Sequence, residues 1–295
     1  MKCKADFFGL KDLPVIDIDQ ETLEELARRS SNLGFTVPGV QKKLSLHLSD
    51  EDSSRLTLVG HPAGYILKPQ TEDFEQIPES EDLVMDIAEM MGVRVVPHGL
   101  IEVNGKWAYI SKRIDRLGGE LYAMEDFCQL GGRLTRDKYR SSYERCAGII
   151  RNYSALSGFD LSEFYLRLLV CFVTGNSDMH LKNFSLIEWG PGSREYVLSS
   201  AYDLLPVNVI MPEDTEETAL TLNGKRSNLK RKDFLTFADT IGLNNKAAIN
   251  MIDRVISRTD EAIRMCRESY LNAELQDRMT ALIQERTARL GMRNN

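Results

Sequence analysis

The chain has 295 residues, a formal net charge of −7 and 42% hydrophobic residues. That length exceeds what one small core usually takes, so two lobes in contact or one large domain are expected. The acidic balance argues against a protein that binds nucleic acid or a bilayer mainly through charge, and no apolar stretch approaches the roughly 20 residues needed to span a bilayer.

The five cysteines are Cys3, Cys128, Cys146, Cys171 and Cys266. None sits at C-x-x-C spacing and the count is odd, which argues against a disulfide framework or a cysteine-rich zinc site. A reducing, cytoplasmic setting fits best, and the first residues lack the apolar core of a signal peptide.

In chain order, residues 1 to 20 read as irregular. Glu21 to Arg29 reads as a short helix, followed by a loop punctuated by Gly34, Pro38 and Gly39. Leu44 to Leu48 alternates with period two, as a half-buried strand does, and Arg55 to Val59 and Tyr65 to Lys68 read as two more strands. Glu79 to Met91 reads as a helix, with Gly92 as its C-terminal cap. Strands are expected at Gly99 to Val103 and Lys106 to Ser111, joined by Asn104-Gly105, a strong hairpin-turn pair. After about Lys112 the pattern becomes mainly helical. Tyr139 to Ser157 is one candidate helix. Leu161 to Gly175 is a second, with Asp160 as N-cap and Glu163 completing a capping box. Short strands are expected at Phe184 to Glu188 and Glu195 to Leu198, and amphipathic helices from about Lys232. The expectation is an α+β chain: a β-rich N-terminal lobe over residues 1–111 and a mainly α-helical C-terminal lobe over residues 112–295.

Four segments could carry chemistry. Asp178 and Asn183 stand at D-x-x-x-x-N spacing, which puts a carboxylate for an attacking hydroxyl and an oxygen ligand for magnesium on one short loop. Taken alone, the same letters describe an Asx-rich turn between helix and strand. Asp203, in Tyr202-Asp203-Leu204, follows Asn183 by 20 residues and could supply a second oxygen ligand; alone it reads as a turn aspartate. Lys68 ends an apolar strand, where a lysine can reach phosphates as a point charge, and Glu81 on the next helix could pair with it. Val37 to Lys43 is a glycine-containing loop that could offer backbone N–H groups to phosphates, although it is neither a Walker A loop nor G-x-G-x-x-G. His180 reads as structural. His47, His61 and His98 show no metal-site spacing, and no arrangement suggests a hydrolase.

The combination is more specific than its parts. Thr36 to Lys43 fits (S/T)-x-x-G-x-Q-x-K, Gly175 to Ser185 fits G-(N/A)-x-D-x-H-x-K-N-(F/W)-(S/G), and Glu125-Asp126-Phe127-Cys128-Gln129 fits E-D-x-x-Q. Together these resemble the HipA family of bacterial toxin serine/threonine kinases. The resemblance runs from about Gly34 to Pro206. It implies a two-lobed protein-kinase-like fold, ATP and Mg2+ as cofactors, and Asp178 as catalytic base. It implies Asn183 and Asp203 as magnesium ligands, Lys68 as phosphate lysine paired with Glu81, and Gly39, Val40, Gln41 and Lys43 as the phosphate-covering loop. It places Lys112 and Ile114 at the adenine, His180 and Lys182 on the nucleotide side of the catalytic loop, and Thr36 at the autophosphorylation position. About 33 residues precede the glycine-containing segment, which resembles the short HipT-like type without the extra N-terminal subdomain.

The partners so implied are a protein substrate, an aminoacyl-tRNA synthetase in the family, whose phosphorylation arrests translation; a HipB-like helix-turn-helix antitoxin; and a separate HipS-like small antitoxin. DNA would be met only through the antitoxin, and no membrane is involved. Two alternatives stay open. Intact Asp178, Asn183 and Asp203 disfavour a nucleotide-binding pseudokinase that serves as an interaction module, and the Gly34 to Lys43 segment disfavours a small-molecule kinase.

Overall fold

The computed structural model describes residues 7–8, 15–16, 43–48, 55–57, 64–117 and 119–292. The expected helix Glu21 to Arg29 and the loop from Gly34 to Lys42 lie outside them. The chain divides into two units, Met1–Asp82 with Val96–Glu120, and Leu83–Val95 with Leu121–Asn295.

The first unit is built on a six-stranded sheet. Its strands are β1 (Val15–Ile16), β2 (Leu44–Leu48), β3 (Arg55–Thr57), β4 (Tyr65–Pro69), β5 (His98–Val103) and β6 (Lys106–Lys112), in the order β1-β3-β2-β4-β6-β5. Only the β1–β3 pair is parallel. The register sets Leu44 opposite Leu67, Leu46 opposite Tyr65 and Leu67 opposite Ile110. Because side chains alternate faces with period two, these residues share one buried face, completed by Phe8, Leu56 and Val103. Lys68, paired with Tyr109, is thereby turned to the opposite face. The Asn104-Gly105 hairpin forms as its sequence predicts, with φ of +51° and +76°, the left-handed pair that a tight two-residue hairpin turn needs. Helix α1 (Ile77–Met91) starts two residues before the expected Glu79; its first residues, through Asp82, belong to this unit and the rest to the second.

The second unit contains a three-stranded antiparallel sheet in the order β9 (Tyr196–Leu198), β8 (Ser185–Glu188), β7 (Met124–Asp126). Around it are helices α2 (Phe127–Leu130), α3 (Tyr143–Tyr153), α4 (Ser157–Thr174), α5 (Val207–Ile210), α6 (Arg231–Thr240), α7 (Asn245–Ser257), α8 (Thr259–Glu268) and α9 (Ala273–Gly291). Helix α4 is buried at almost every position from Asp160 onward, as its apolar run predicts.

Two further helix starts differ from the sequence reading. The expected helix at Tyr139 begins only at Tyr143, because Ser142 is extended and its hydroxyl accepts from the N–H of Arg145, an N-cap that ends the preceding loop. Asp160 is not an N-cap. The helix starts at Ser157 with Leu156 as a cap that makes no side-chain bond. The Asp160 carboxylate instead accepts from the Leu198 N–H at 2.6 Å and the Ser154 hydroxyl at 2.6 Å, with Arg94 at 3.4 Å. Tertiary partners outcompete the local cap.

At the other end of α4, Gly175 adopts φ +76° and its N–H bonds back to the last turn. A Cβ there would meet Leu282 and Asn208. Arg286 of α9 locks this end, donating to the Phe172 carbonyl at 2.6 Å and to Asn208 Oδ1 at 2.7 Å.

Asp160 is fully buried, so removing its carboxylate strands the Leu198 N–H and one charge of Arg94. Asp160→Ala should lower the unfolding free energy by about 3 kcal/mol in urea titration; a loss under about 1 kcal/mol would contradict this reading. Gly175→Ala should cost about 1–3 kcal/mol from its left-handed φ and the crowding at Leu282, read as a lower denaturation midpoint, and an unchanged midpoint would count against it.

Candidate active site

The segment between α4 and β8 is polar yet largely buried. Asn176, Ser177, His180 and Asn183 are all under one-tenth exposed, so each needs partners. The Asn176 N–H bonds to the Cys171 carbonyl at 2.8 Å, and its side-chain oxygen accepts from the Asp178 N–H at 3.1 Å. The Ser177 hydroxyl donates to Asp214 at 2.6 Å. The Asn183 amide donates through Nδ2 to the Asp178 carbonyl at 3.0 Å. A short 3₁₀ turn, Leu181–Asn183, closes the loop. His180 caps that turn, its Nδ1 accepting from the Lys182 N–H at 3.3 Å. With Nδ1 as acceptor, the neutral ring carries its proton on Nε2, which lies 4.0 Å from Asp178 Oδ2.

Beneath the loop lies an aromatic bed. Phe184 stacks on Phe127 at 5.6 Å and meets Phe164 edge-on at 5.0 Å, and Tyr143 stands edge-on to both Phe164 and Phe184. The Tyr143 hydroxyl donates to the Met179 carbonyl at 3.1 Å. Such packed rings stiffen what rests on them.

Asp178 is the exception to burial: its side chain is 46% exposed. Its Oδ1 accepts from the Tyr139 hydroxyl at 2.6 Å. Burial first, then the charge and hydrogen bond of Asp178, push the Tyr139 phenol well above its ordinary value, with Asp203 and Asp214 adding to the rise. Asp203 therefore lies within electrostatic reach of this corner. It holds φ at +61°, a conformation Asp adopts more readily than most residues and one that collects at functional sites. The neighbouring Tyr202 hydroxyl is fixed by Ser185 at 2.6 Å and the Lys182 carbonyl at 3.1 Å.

Lys182 is held by Asp126 at 2.6 Å. Asp126 also caps α2 in a reciprocal capping box with Gln129, which gives the Glu125 to Gln129 segment a physical reason for its spacing. In the first unit, Lys68 Nζ meets Glu81 Oε1 at 2.5 Å, both buried, with Tyr109 beneath the ammonium at 5.3 Å.

The other sequence-selected residues divide simply. Lys43 is exposed just ahead of β2. Lys112 ends β6, its N–H bonded to the Pro97 carbonyl at 2.9 Å, and Ile114 lies half-buried two residues on. Thr36, Gly39, Val40 and Gln41 lie outside the described residues. Tyr139 was not singled out by sequence, since its bond to Asp178 spans 39 positions.

Chemically, the second unit offers a half-exposed carboxylate on a rigid loop. With Asn183 donating through nitrogen, its amide oxygen is the atom left for a cation, and Asp203 adds a half-buried carboxylate. Among the described residues, no group of three or more His, Cys, Asp or Glu could hold a metal by itself. An amide oxygen plus a carboxylate suits a hard cation that takes its other ligands from water or phosphate. Cys171 and Cys266 are buried, and burial pushes both thiols up to about 12, which keeps them in the unreactive thiol form. No helix among the described residues is long and apolar enough to cross a membrane.

Comparison with known proteins bears on the family and the fold. Residues 35–263 match the family model of the HipA-like C-terminal domain. The Sinorhizobium fredii protein named "Putative kinase Y4dM" is 32% identical over 256 residues, which are 81% of this chain and 61% of that protein. A Haemophilus influenzae protein named "Putative kinase" is 27% identical over 293 residues, covering 88% of this chain and 83% of its own. The chain thus spans about three fifths of the length of Y4dM. Among solved structures, HipA in a Shewanella oneidensis MR-1 complex with HipB and operator DNA aligns with TM-score 0.73 at 18% identity, over 87% of this chain and 64% of that one. The Helicobacter pylori proinflammatory kinase CtkA aligns with TM-score 0.60 at 17% identity, over 86% and 90%. At these identities the structural matches establish the fold, which is the mixed α and β kinase-like fold that HipA and CtkA share. The family match covers most of the chain, and the chain belongs to the HipA-like C-terminal domain family.

Proposed function

We propose that this chain is an ATP-dependent protein serine/threonine kinase and the toxin of a toxin–antitoxin pair. The observation that carries the reading is the loop Asn176–Asn183. It holds the Asp178 carboxylate half-exposed while burying almost everything around it. A base for a protein hydroxyl needs that combination of rigidity and access.

In the proposed reaction the acceptor hydroxyl oxygen bonds to the γ-phosphorus. The bond from that phosphorus to the β–γ bridging oxygen breaks, ADP leaves, and the hydroxyl proton passes to the Asp178 carboxylate. Lys68, kept in place by Glu81, binds phosphate oxygens. Asn183 Oδ1 and Asp203 would hold magnesium, which would supply positive charge to offset that of the phosphates. His180 and Lys182 order the loop, and Lys112 and Ile114 meet the adenine. Gly39, Val40, Gln41 and Lys43 cover the phosphates, and Thr36 receives a phosphoryl group that inactivates the enzyme by charge repulsion.

Three findings support the toxin role: family membership, the naming of two relatives as kinases, and the HipA–HipB–DNA composition of a structural neighbour. A HipB-like helix-turn-helix antitoxin and a HipS-like small antitoxin are the proposed partners. An aminoacyl-tRNA synthetase is the proposed substrate.

The test is incubation with γ-labelled ATP and Mg2+, alone and with cell extract. Asp178→Gln should reduce label transfer by roughly 10²-fold or more, and Lys68→Met by a similar factor. No labelled protein with the wild-type chain in either mixture would overturn the kinase reading. Peptide mapping of the labelled chain should place phosphate on Thr36; label retained in full by Thr36→Ala would remove that assignment. Growth arrest on expression, absent with Asp178→Gln, is the expected cellular outcome.

A further inference from the structure

Residues 133–140 carry four cations, Arg133, Arg136, Lys138 and Arg140, against one carboxylate, Asp137, a net +3 in a chain whose net charge is −7. Neighbouring cations are matched: Lys182 pairs with Asp126, and Arg226, which donates to the Tyr139 carbonyl, pairs with Glu216. Arg136 and Arg140 instead share Asp137, at 3.9 and 3.2 Å, and both side chains are 80% exposed. Positive charge is therefore left over on this segment.

The excess charge sits on a fixed frame. The Arg133 N–H bonds to the Cys128 carbonyl at 2.8 Å, the Asp137 N–H to the Leu134 carbonyl at 2.8 Å, the Lys138 N–H to the Thr135 carbonyl at 3.2 Å and the Arg140 N–H to the Asp137 carbonyl at 2.8 Å. That frame is joined to the proposed catalytic loop. The Leu181 N–H donates to the Lys138 carbonyl at 3.2 Å, and the Tyr139 hydroxyl donates to Asp178 Oδ1 at 2.6 Å. Arg140 adjoins Tyr139, and Arg136 precedes it by three residues, a chain span of at most about 11 Å. An extended peptide advances about 3.3–3.6 Å per residue. The two guanidinium groups are thus within reach of residues a few positions from an acceptor hydroxyl received at Asp178.

A charged turn is commonly no more than a solvated surface. Two observations set this one apart: its charge is not balanced locally, and its backbone is tied to the loop, so the arginines are presented with little further ordering cost. The nearby carboxylates are already engaged, Asp178 and Asp203 in the proposed reaction and Asp214 by the Ser177 hydroxyl at 2.6 Å. Nucleic acid is the other anionic partner to weigh. It takes a longer cationic track with aromatic faces for stacking, whereas the aromatic ring of this segment, Tyr139, packs against His180 at 4.9 Å and Lys138 at 5.0 Å. Arginine suits carboxylates, because its planar fork can bind both oxygens. We propose that Arg136 and Arg140 form a substrate-docking surface beside this site and select protein segments with Asp or Glu within a few residues of the acceptor serine or threonine. The proposal rests on the kinase reading above and names the chemistry of its protein substrate.

The probes are three synthetic peptides with one central serine, flanked by Asp and Glu, by Asn and Gln, or by Lys. Binding to the full chain is read by fluorescence anisotropy, and phosphoryl transfer from γ-labelled ATP with Mg2+ is read as kcat and KM for each peptide. Wild type is compared with the double variant Arg136→Glu/Arg140→Glu, with thermal unfolding and peptide-free ADP release recorded for both. The expected result is that wild type binds the acidic peptide about tenfold more tightly than the amide peptide, that added salt weakens this preference, and that kcat/KM follows it through KM. The double variant should lose the preference and bind the Lys peptide better, with peptide-free ADP release within twofold of wild type and an unchanged unfolding midpoint. A wild-type chain that binds the acidic and amide peptides equally, or prefers the Lys peptide, overturns the proposal. So does a double variant that keeps the acidic preference or loses all three peptides alike. Should the double variant unfold early, Arg136→Gln and Arg140→Gln taken singly supply the decision: a reduced acidic preference in each supports docking, and an unchanged one refutes it. Binding of a single-stranded RNA oligonucleotide that the charge reversal abolishes, with no discrimination among the peptides, assigns the surface to nucleic acid and also overturns the proposal. A wild-type chain that discriminates among the peptides in binding but neither releases ADP nor transfers label supports the docking chemistry and refutes the kinase reading, a result distinct from all of these.

Discussion

The structure turns on the cost of burying a polar loop. Asn176, Ser177, His180 and Asn183 are almost wholly removed from solvent, and an unmatched polar group in such a place costs about 1–3 kcal/mol. The loop therefore has few conformations that satisfy all its groups at once. Its two asparagine side chains bond to the Asp178 backbone, the Asn176 N–H bonds to the end of α4, and its serine bonds to Asp214. Local freedom is removed by this arithmetic, leaving Asp178 as the one side chain of the loop's Asn176–Asn183 polar set that is nearly half exposed.

Everything around the loop serves that constraint. Helix α4 ends at Gly175 because only a residue tolerant of positive φ can turn the chain there, and Arg286 reaches from α9 to bind the carbonyl one turn earlier. The aromatic residues Phe127, Tyr143, Phe164 and Phe184 give a firm floor. Asp126 ties the α2 segment to Lys182 while capping its own helix, so one carboxylate links two parts of the unit. In the first unit the sheet's alternation does comparable work: it turns Lys68 away from the apolar face, where burial at 4% exposure is tolerable because Glu81 compensates its charge.

Much of this was legible in the sequence, wherever the determining interactions are local. The Asn104-Gly105 hairpin, the alternation of β2 and the apolar run of α4 follow from spacing of a few residues. The loop was legible because its glycine, amides, carboxylate and histidine all fall within eleven positions from Gly175 to Ser185. What was not legible depends on distant partners. Asp160 satisfies every local rule for an N-cap, yet its carboxylate bonds to Leu198, 38 residues away. Tyr139 sits in a stretch with strong helical pattern, but the Ser142 cap starts the helix later and frees the tyrosine to reach Asp178. Asp126 lies between. Its capping-box spacing with Gln129 is visible in sequence, whereas its pairing with Lys182 is not.

The account stands or falls on whether the loop receives a magnesium nucleotide. A crystal structure of the chain with Mg2+ and a non-hydrolysable ATP analogue tests this most directly. The account predicts a cation at about 2.1 Å from Asn183 Oδ1 and an Asp203 carboxylate oxygen, with the Asp178 carboxylate on the side from which an acceptor hydroxyl would approach the γ-phosphate. A nucleotide bound elsewhere, or a cation that avoids Asn183 and Asp203, would contradict it.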